Sequence, residues 1–131
     1  MIAEIAAHRS VRHYRPDAVP QEVLDEILAA AVRASTVGNM QLYSIIVTTD
    51  PAMRRQLAPL HFNQPAATTA PLLLTFCADV NRFSRWCELR GAEPAYDNFC
   101  WFMNGVTDAL LASQNASLEA EAHGLGICYL G

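Results

Sequence analysis

Lysine is missing: all nine basic residues among the 131 are arginine. Any anion this chain holds must therefore be held by guanidinium or backbone N–H groups. Positive charge is also scarce, with 9 basic against 13 acidic residues and a net charge of −4. A general nucleic-acid binder carries a basic excess, so that class is disfavoured. No apolar run approaches the roughly 20 residues that span a bilayer. The opening Met-Ile-Ala-Glu-Ile-Ala-Ala-His-Arg lacks the basic-then-apolar order of a secretion signal. The expectation is a cytoplasmic chain with no membrane partner and no nucleic-acid partner. Paired cysteines are absent too. Cys77, Cys87, Cys100 and Cys128 form no C-x-x-C and no zinc spacing, so buried free thiols and no metal are expected. There is no G-x-S-x-G, and no cysteine sits in an activating context, so no side chain is expected to act as a nucleophile.

Apolar surface is abundant. The residues AVILMFWYC make up 52% of the chain and charged residues 17%, which excludes a disordered tail. A mass of 14.4 kDa fits one domain, taken as residues 1–131. Ile2, Ile5 and Ala6 have helical spacing over residues 2–8. An arginine-rich loop follows, from Arg9 to Asp17. Pro20 suits a first helical position, and Val23, Leu24, Ile27, Leu28 and Ala31 form one stripe of a helix ending near Ala34. Residues 44–49 are short and β-branched, hence a strand. Asp50-Pro51 caps and opens a helix to about Leu60. Residues 61–70 read as a polar connection, 72–77 as a strand buried on both faces, and 80–96 are assigned no element. A long helix is expected from Pro94 to His123, ended by Gly124, and a last strand over 127–130. At about 30 residues that helix would measure roughly 45 Å. This exceeds the roughly 15 Å radius of a compact chain of this size. Its faces are mostly apolar, so a second subunit is expected to cover it, and the chain is expected to be part of a longer protein.

Four polar segments could carry chemistry. Arg9, Arg12 and Arg15 recur every three residues around Ser10, with His8 beside them. Planar, permanently charged guanidinium groups plus a hydroxyl suit a phosphate, and a solvated loop is the alternative. Ser35, Thr36, Gly38, Asn39 and Gln41 end a helix with hydroxyls and amides that could line a polar ligand or simply terminate the helix. Gln64 offers a donor and an acceptor to a heteroaromatic edge. Gly124-Leu125-Gly126 fails as a dinucleotide fingerprint, because its glycines follow a helix and open a strand. Glu119 and Glu121 read as a solvated strip.

Four blocks taken in order resemble the N-terminal half of the nitroreductase family, FMN-dependent NAD(P)H oxidoreductases. They are His8-Arg9-Ser10-Val11-Arg12-His13-Tyr14; Arg33-Ala34-Ser35-Thr36 through Gln41 and on to Ile45-Ile46-Val47; Gln64 ahead of Phe76-Cys77-Ala78-Asp79; and Asp108-Ala109 through Gln114-Asn115-Ala116 to Gly124-Leu125-Gly126 and Tyr129-Leu130-Gly131. The nearest branch is similar to the NADPH-preferring, oxygen-insensitive nitroreductases and related flavin reductases. The resemblance implies an α+β fold with an antiparallel or mixed central sheet, flanking helices and a long central dimer helix, incomplete at its C-terminus.

It implies FMN as cofactor and NADPH or NADH as cosubstrate. It also implies a homodimer and a small-molecule electron acceptor: a nitroaromatic, a quinone or free flavin. His8, Arg9, Ser10 and Arg12 resemble the residues on the FMN phosphate and ribityl chain. Ser35, Thr36, Asn39 and Gln41 lie in the loop resembling the one a second subunit lends to the flavin. Gln64 resembles the amide on the ring edge, although Pro65 after it lacks a backbone N–H. Tyr129, Leu130 and Gly131 resemble the backbone beside the ring. The other reading is a truncated, inactive chain acting only in dimerisation.

Overall fold

The computed structural model describes residues 1–130; Gly131, one of the expected site residues, lies outside the described residues. In chain order the elements are α1 (Ala3–Ala7), α2 (Gln21–Ala31), β1 (Tyr43–Thr48), α3 (Pro51–Leu57), α4 (Pro65–Thr69), β2 (Leu73–Ala78), α5 (Val80–Leu89) and α6 (Phe99–Ala122). Short 3-10 turns cover Val37–Asn39 and Ala58–His61. The sheet among the described residues has two antiparallel strands, with Tyr43 opposite Ala78 and Thr48 opposite Leu73.

The core forms where α6 lies across one sheet face and against α2. Ile27 and Ala31 of α2 meet Ala116 and Ala120 of α6, with Ile45, Leu74 and Phe76 packed against them. A second cluster joins Tyr43 to Ala109 and Ala112. Small residues on α6 permit this close approach. A Cβ on Gly105 would meet Val80 Cγ2 at 3.2 Å and Ala78 Cβ at 3.3 Å. The other side of α6 is bare, with Phe99, Phe102, Met103, Leu110 and Leu111 exposed. The helix is therefore apolar on both sides, as expected, but its inner side is built from alanine, serine and glycine.

Its ends differ from expectation at one terminus. Asn98 accepts hydrogen bonds from the Cys100 and Trp101 N–H groups, so the helix starts at Phe99 rather than Pro94. Twenty-four residues give about 36 Å. Gly124, at φ 75°, closes the other end. Its N–H donates to the Glu121 carbonyl and that of Leu125 to the Ala120 carbonyl, the paired bonds of a Schellman cap.

Three further expectations are corrected. The connection at 61–70 contains α4, because Pro65 occupies its first turn, where a missing N–H costs nothing. The unassigned stretch at 80–96 contains α5. Among the described residues the last strand is reduced to one parallel bridge, Ser10 to Ile127, formed with the extended loop at Ser10 and Val11. The four cysteines are free, but only Cys87 is buried, and Cys100 is exposed. Among the described residues no helix is long and apolar enough to cross a membrane.

Asp79 begins α5 by accepting from the Arg82 N–H. The hydrogen bond from the Ser44 hydroxyl is the main cause that lowers its carboxyl pKa. Burial opposes it, and the Arg82 N–H and charge add to it. A depressed folded pKa stabilises the fold above the ordinary carboxylate range, and that stability is lost as pH falls through the depressed value. Asp79→Ala is expected to cost about 1 kcal/mol at neutral pH, the usual loss of an N-cap. The difference from wild type should vanish in acid, as measured by urea unfolding across pH.

Candidate flavin-binding site

The segment from His8 to Arg12 is fixed by the far end of the chain. The Val11 N–H donates to the Ile127 carbonyl at 2.8 Å beside the Ser10 bridge. His8 turns its Nδ1 to the Glu121 carboxylate, 2.9 and 3.0 Å from its two oxygens, which ties the end of α1 to α6. This leaves His8 only Nε2 for a ligand. It also removes Glu121 from the expected solvated strip. Glu119 is likewise engaged, 3.4 Å from His123 Nε2, which also meets Glu26 of α2 at 2.7 Å.

Arg9, Ser10 and Arg12 are exposed on this fixed backbone. Neither arginine forms an ion pair among the described residues. Burial raises the Tyr14 hydroxyl pKa, as does Cys128, and the Arg12 charge opposes both, so the two chain segments share one electrostatic neighbourhood. The structure thus brings Arg9, Ser10 and Arg12 next to the 127–130 segment. Of that segment, the Tyr129 hydroxyl is within 3.1 Å of the Ser113 and Ser117 hydroxyls, which fixes it to α6, and Leu130 is half-buried.

The other expected residues lie elsewhere. Ser35, Thr36, Asn39 and Gln41 sit on a loop pinned to Asp108, near the middle of α6. Thirteen residues separate Asp108 from Glu121, or about 20 Å of helix. Within one chain the arginine segment and this loop are therefore anchored at separate points. Gln64 caps α4, half-buried, and its side chain makes no bond to the cap.

A groove of about 930 Å³ runs between β2 and α6, lined by Leu73, Phe76, Val106, Leu110, Tyr129 and Leu130 among others. Among the described residues, Tyr129, Leu130 and Arg15 border it, whereas Arg9, Ser10 and Arg12 do not. The groove is mostly apolar, and Val11, His13, Tyr14 and Arg15 of the arginine-rich loop border it.

Sequence reasoning named Asp108 and Gly126 only within longer segments and Arg82 not at all, and it assigned none of them its contact with the loops around the site. Asp108 is the signal that could have been found, being a charged residue set among Val106, Ala109 and Ala112 on an apolar helix.

Arg9 and Arg12 thus stand exposed on a fixed backbone with no ion pair among the described residues, and comparison with known proteins decides the kinship of the chain. The pattern of the nitroreductase family matches residues 5–131. The chain belongs to the nitroreductase family. It is 39% identical over 132 residues to the FMN reductase (NADPH) of Bacillus subtilis, covering 99% of this chain and 53% of that protein. It is 36% identical to the oxygen-insensitive NADPH nitroreductase of Salmonella typhimurium, covering 97% of this chain and 51% of that protein. The structure of the NfrA1 nitroreductase from B. subtilis superposes with a TM-score of 0.93 at 38% identity, covering 98% of this chain and 53% of that one. The chain spans about half the length of the nitroreductase relatives it matches. The α+β fold expected from the four blocks is the family's fold.

Proposed function

We propose that this chain is the phosphate-gripping part of an FMN-dependent oxidoreductase that takes hydride from NADPH or NADH. The acceptor class is a nitroaromatic, a quinone or free flavin. The observation that carries the reading is a pair of exposed guanidinium groups, Arg9 and Arg12, on a backbone fixed to Ile127 and without an ion-pair partner among the described residues. Such a cradle fits a phosphate, because arginine cannot lose its charge and offers planar paired donors. Relatives named FMN reductase and NADPH nitroreductase support the same ligand.

The bound flavin would supply two-electron transfer chemistry. The chain's own contribution is to bind and orient. Arg9, Ser10 and Arg12 would hold the phosphate and ribityl end. The Tyr129–Leu130 backbone, with Gly131, would lie along the ring, and the Gln64 amide would meet its edge. Ser35, Thr36, Asn39 and Gln41 would reach the flavin of a second copy. The separate anchoring of that loop on α6 and the bare side of the helix both favour a homodimer. No nucleic-acid or membrane partner is invoked, and the cytoplasm is the compartment that fits.

The test is an FMN titration of the purified chain, followed by flavin fluorescence quenching. The expected outcome is saturable uptake at micromolar FMN with a flavin absorption band on the recovered protein. Protein that remains colourless at that concentration overturns the proposal and favours a chain that pairs without catalysing.

A further inference from the structure

We infer that Asp108 is a positioning residue, which sets the Asn39–Gln41 amide pair through the backbone on either side of it. The inference rests on the flavin reading above. Asp108 is fully buried on α6. One of its carboxylate oxygens accepts from the Val37 N–H at 3.0 Å and the other from the Leu42 N–H at 3.1 Å. One side chain therefore holds both ends of the turn between them. Within that turn Gly38, Asn39 and Gln41 take φ of 55°, 55° and 54°. Glycine and asparagine adopt the left-handed region readily, but it is costly for Gln41, which stays there only if the surroundings hold it.

A second grip comes from α5. The Arg82 guanidinium donates to the Gln41 carbonyl. The Asp79 N–H donates to the Leu42 carbonyl at 2.8 Å. Inside the turn, Gln41 Nε2 donates to Asn39 Oδ1 at 3.0 Å. Both amide side chains are exposed. That internal bond leaves Gln41 Oε1 and Asn39 Nδ2, one acceptor and one donor, for a ligand. A buried carboxylate is expensive, and an apolar side chain of similar size would serve packing alone at least as well. What an apolar side chain cannot do is hold two backbone N–H groups at opposite ends of one turn. The amide pair suits a ligand edge that offers a donor beside an acceptor, as the flavin ring does.

The test compares Asp108→Asn with Ile27→Val, a core change remote from the loop, on the full chain. Asp108→Asn keeps the shape but turns an NH2 group toward an N–H. Amide hydrogen exchange at Val37 and Leu42 is expected to quicken at least tenfold in Asp108→Asn, and the Kd for FMN to rise at least tenfold. Ile27→Val, which lowers Tm without touching the loop, is expected to leave both unchanged. Adding Gln41→Ala to Asp108→Asn is expected to cost no further affinity, because the pair is already misplaced.

Unchanged exchange at Leu42 overturns the inference whatever the flavin does. Faster exchange with an unchanged Kd overturns it while the flavin reading stands. A wild-type chain that takes up no FMN overturns the flavin reading and the inference with it. If Asp108→Asn fails to fold, Arg82→Met, which removes the exposed grip on the Gln41 carbonyl, carries the same comparison.

Discussion

Gly126→Ala should destabilise the chain by about 1–3 kcal/mol, the usual cost of forcing an extra methyl into a packed site. The position needs glycine for space. A Cβ there would sit 2.7 Å from Val11 Cβ and Cγ1 and 2.9 Å from Cγ2. Val11 Cβ is bonded directly to the main chain, so no rotamer change relieves the contact, and the two segments must separate. The segment that would move carries the single bridge between Ser10 and Ile127 and the bond from the Val11 N–H to the Ile127 carbonyl. Arg9, Ser10 and Arg12 would move with it, so FMN uptake should weaken along with stability. Urea unfolding and an FMN titration on the same variant check both effects. A Gly126→Ala protein as stable as wild type would show that Val11 and Gly126 do not meet.

This contact illustrates what could be read from the sequence and what could not. The long elements were legible because periodicity survives tertiary packing. The stripe of Val23, Leu24, Ile27 and Ala31 marks α2, and the β-branched run around Ile45 marks β1. The apolar run at Leu73–Cys77 marks β2. Helix α5 was lost because only one of its ten residues, Cys87, is buried. Its start signal, Asp79, also follows directly on a strand. The run from Ile127 to Leu130 has strand composition, but composition does not supply a neighbour to pair with. The arginine segment was legible, since guanidinium spacing is local. The holding of the 36–41 loop was not: Asp108 lies 71 and 66 positions from Val37 and Leu42. The sequence shows a carboxylate set among apolar helix residues, but not which distant backbone groups it holds. His8 was legible as a polar neighbour of the arginines, but its bond to Glu121 spans 113 positions and depends on α6 folding back past α1.

Arg12→Ala tests the chemistry of the grip rather than its geometry. Losing a hydrogen bond to a charged group costs about 1.5–3 kcal/mol, so the Kd for FMN should rise roughly 10- to 150-fold. The exposed guanidinium makes no ion pair among the described residues, so its removal leaves no carboxylate stranded and the fold should hold. Arg12→Lys should recover part of the affinity, because the charge returns without the planar paired donors. Titration with riboflavin, which lacks the phosphate, separates the two ends of the ligand. Its affinity should be the same for wild type and Arg12→Ala, and the wild-type preference for FMN should shrink as ionic strength rises. Equal losses for riboflavin and FMN would place Arg12 on the ring instead. No loss for either would return the arginine segment to what its composition alone permits, a solvated basic loop.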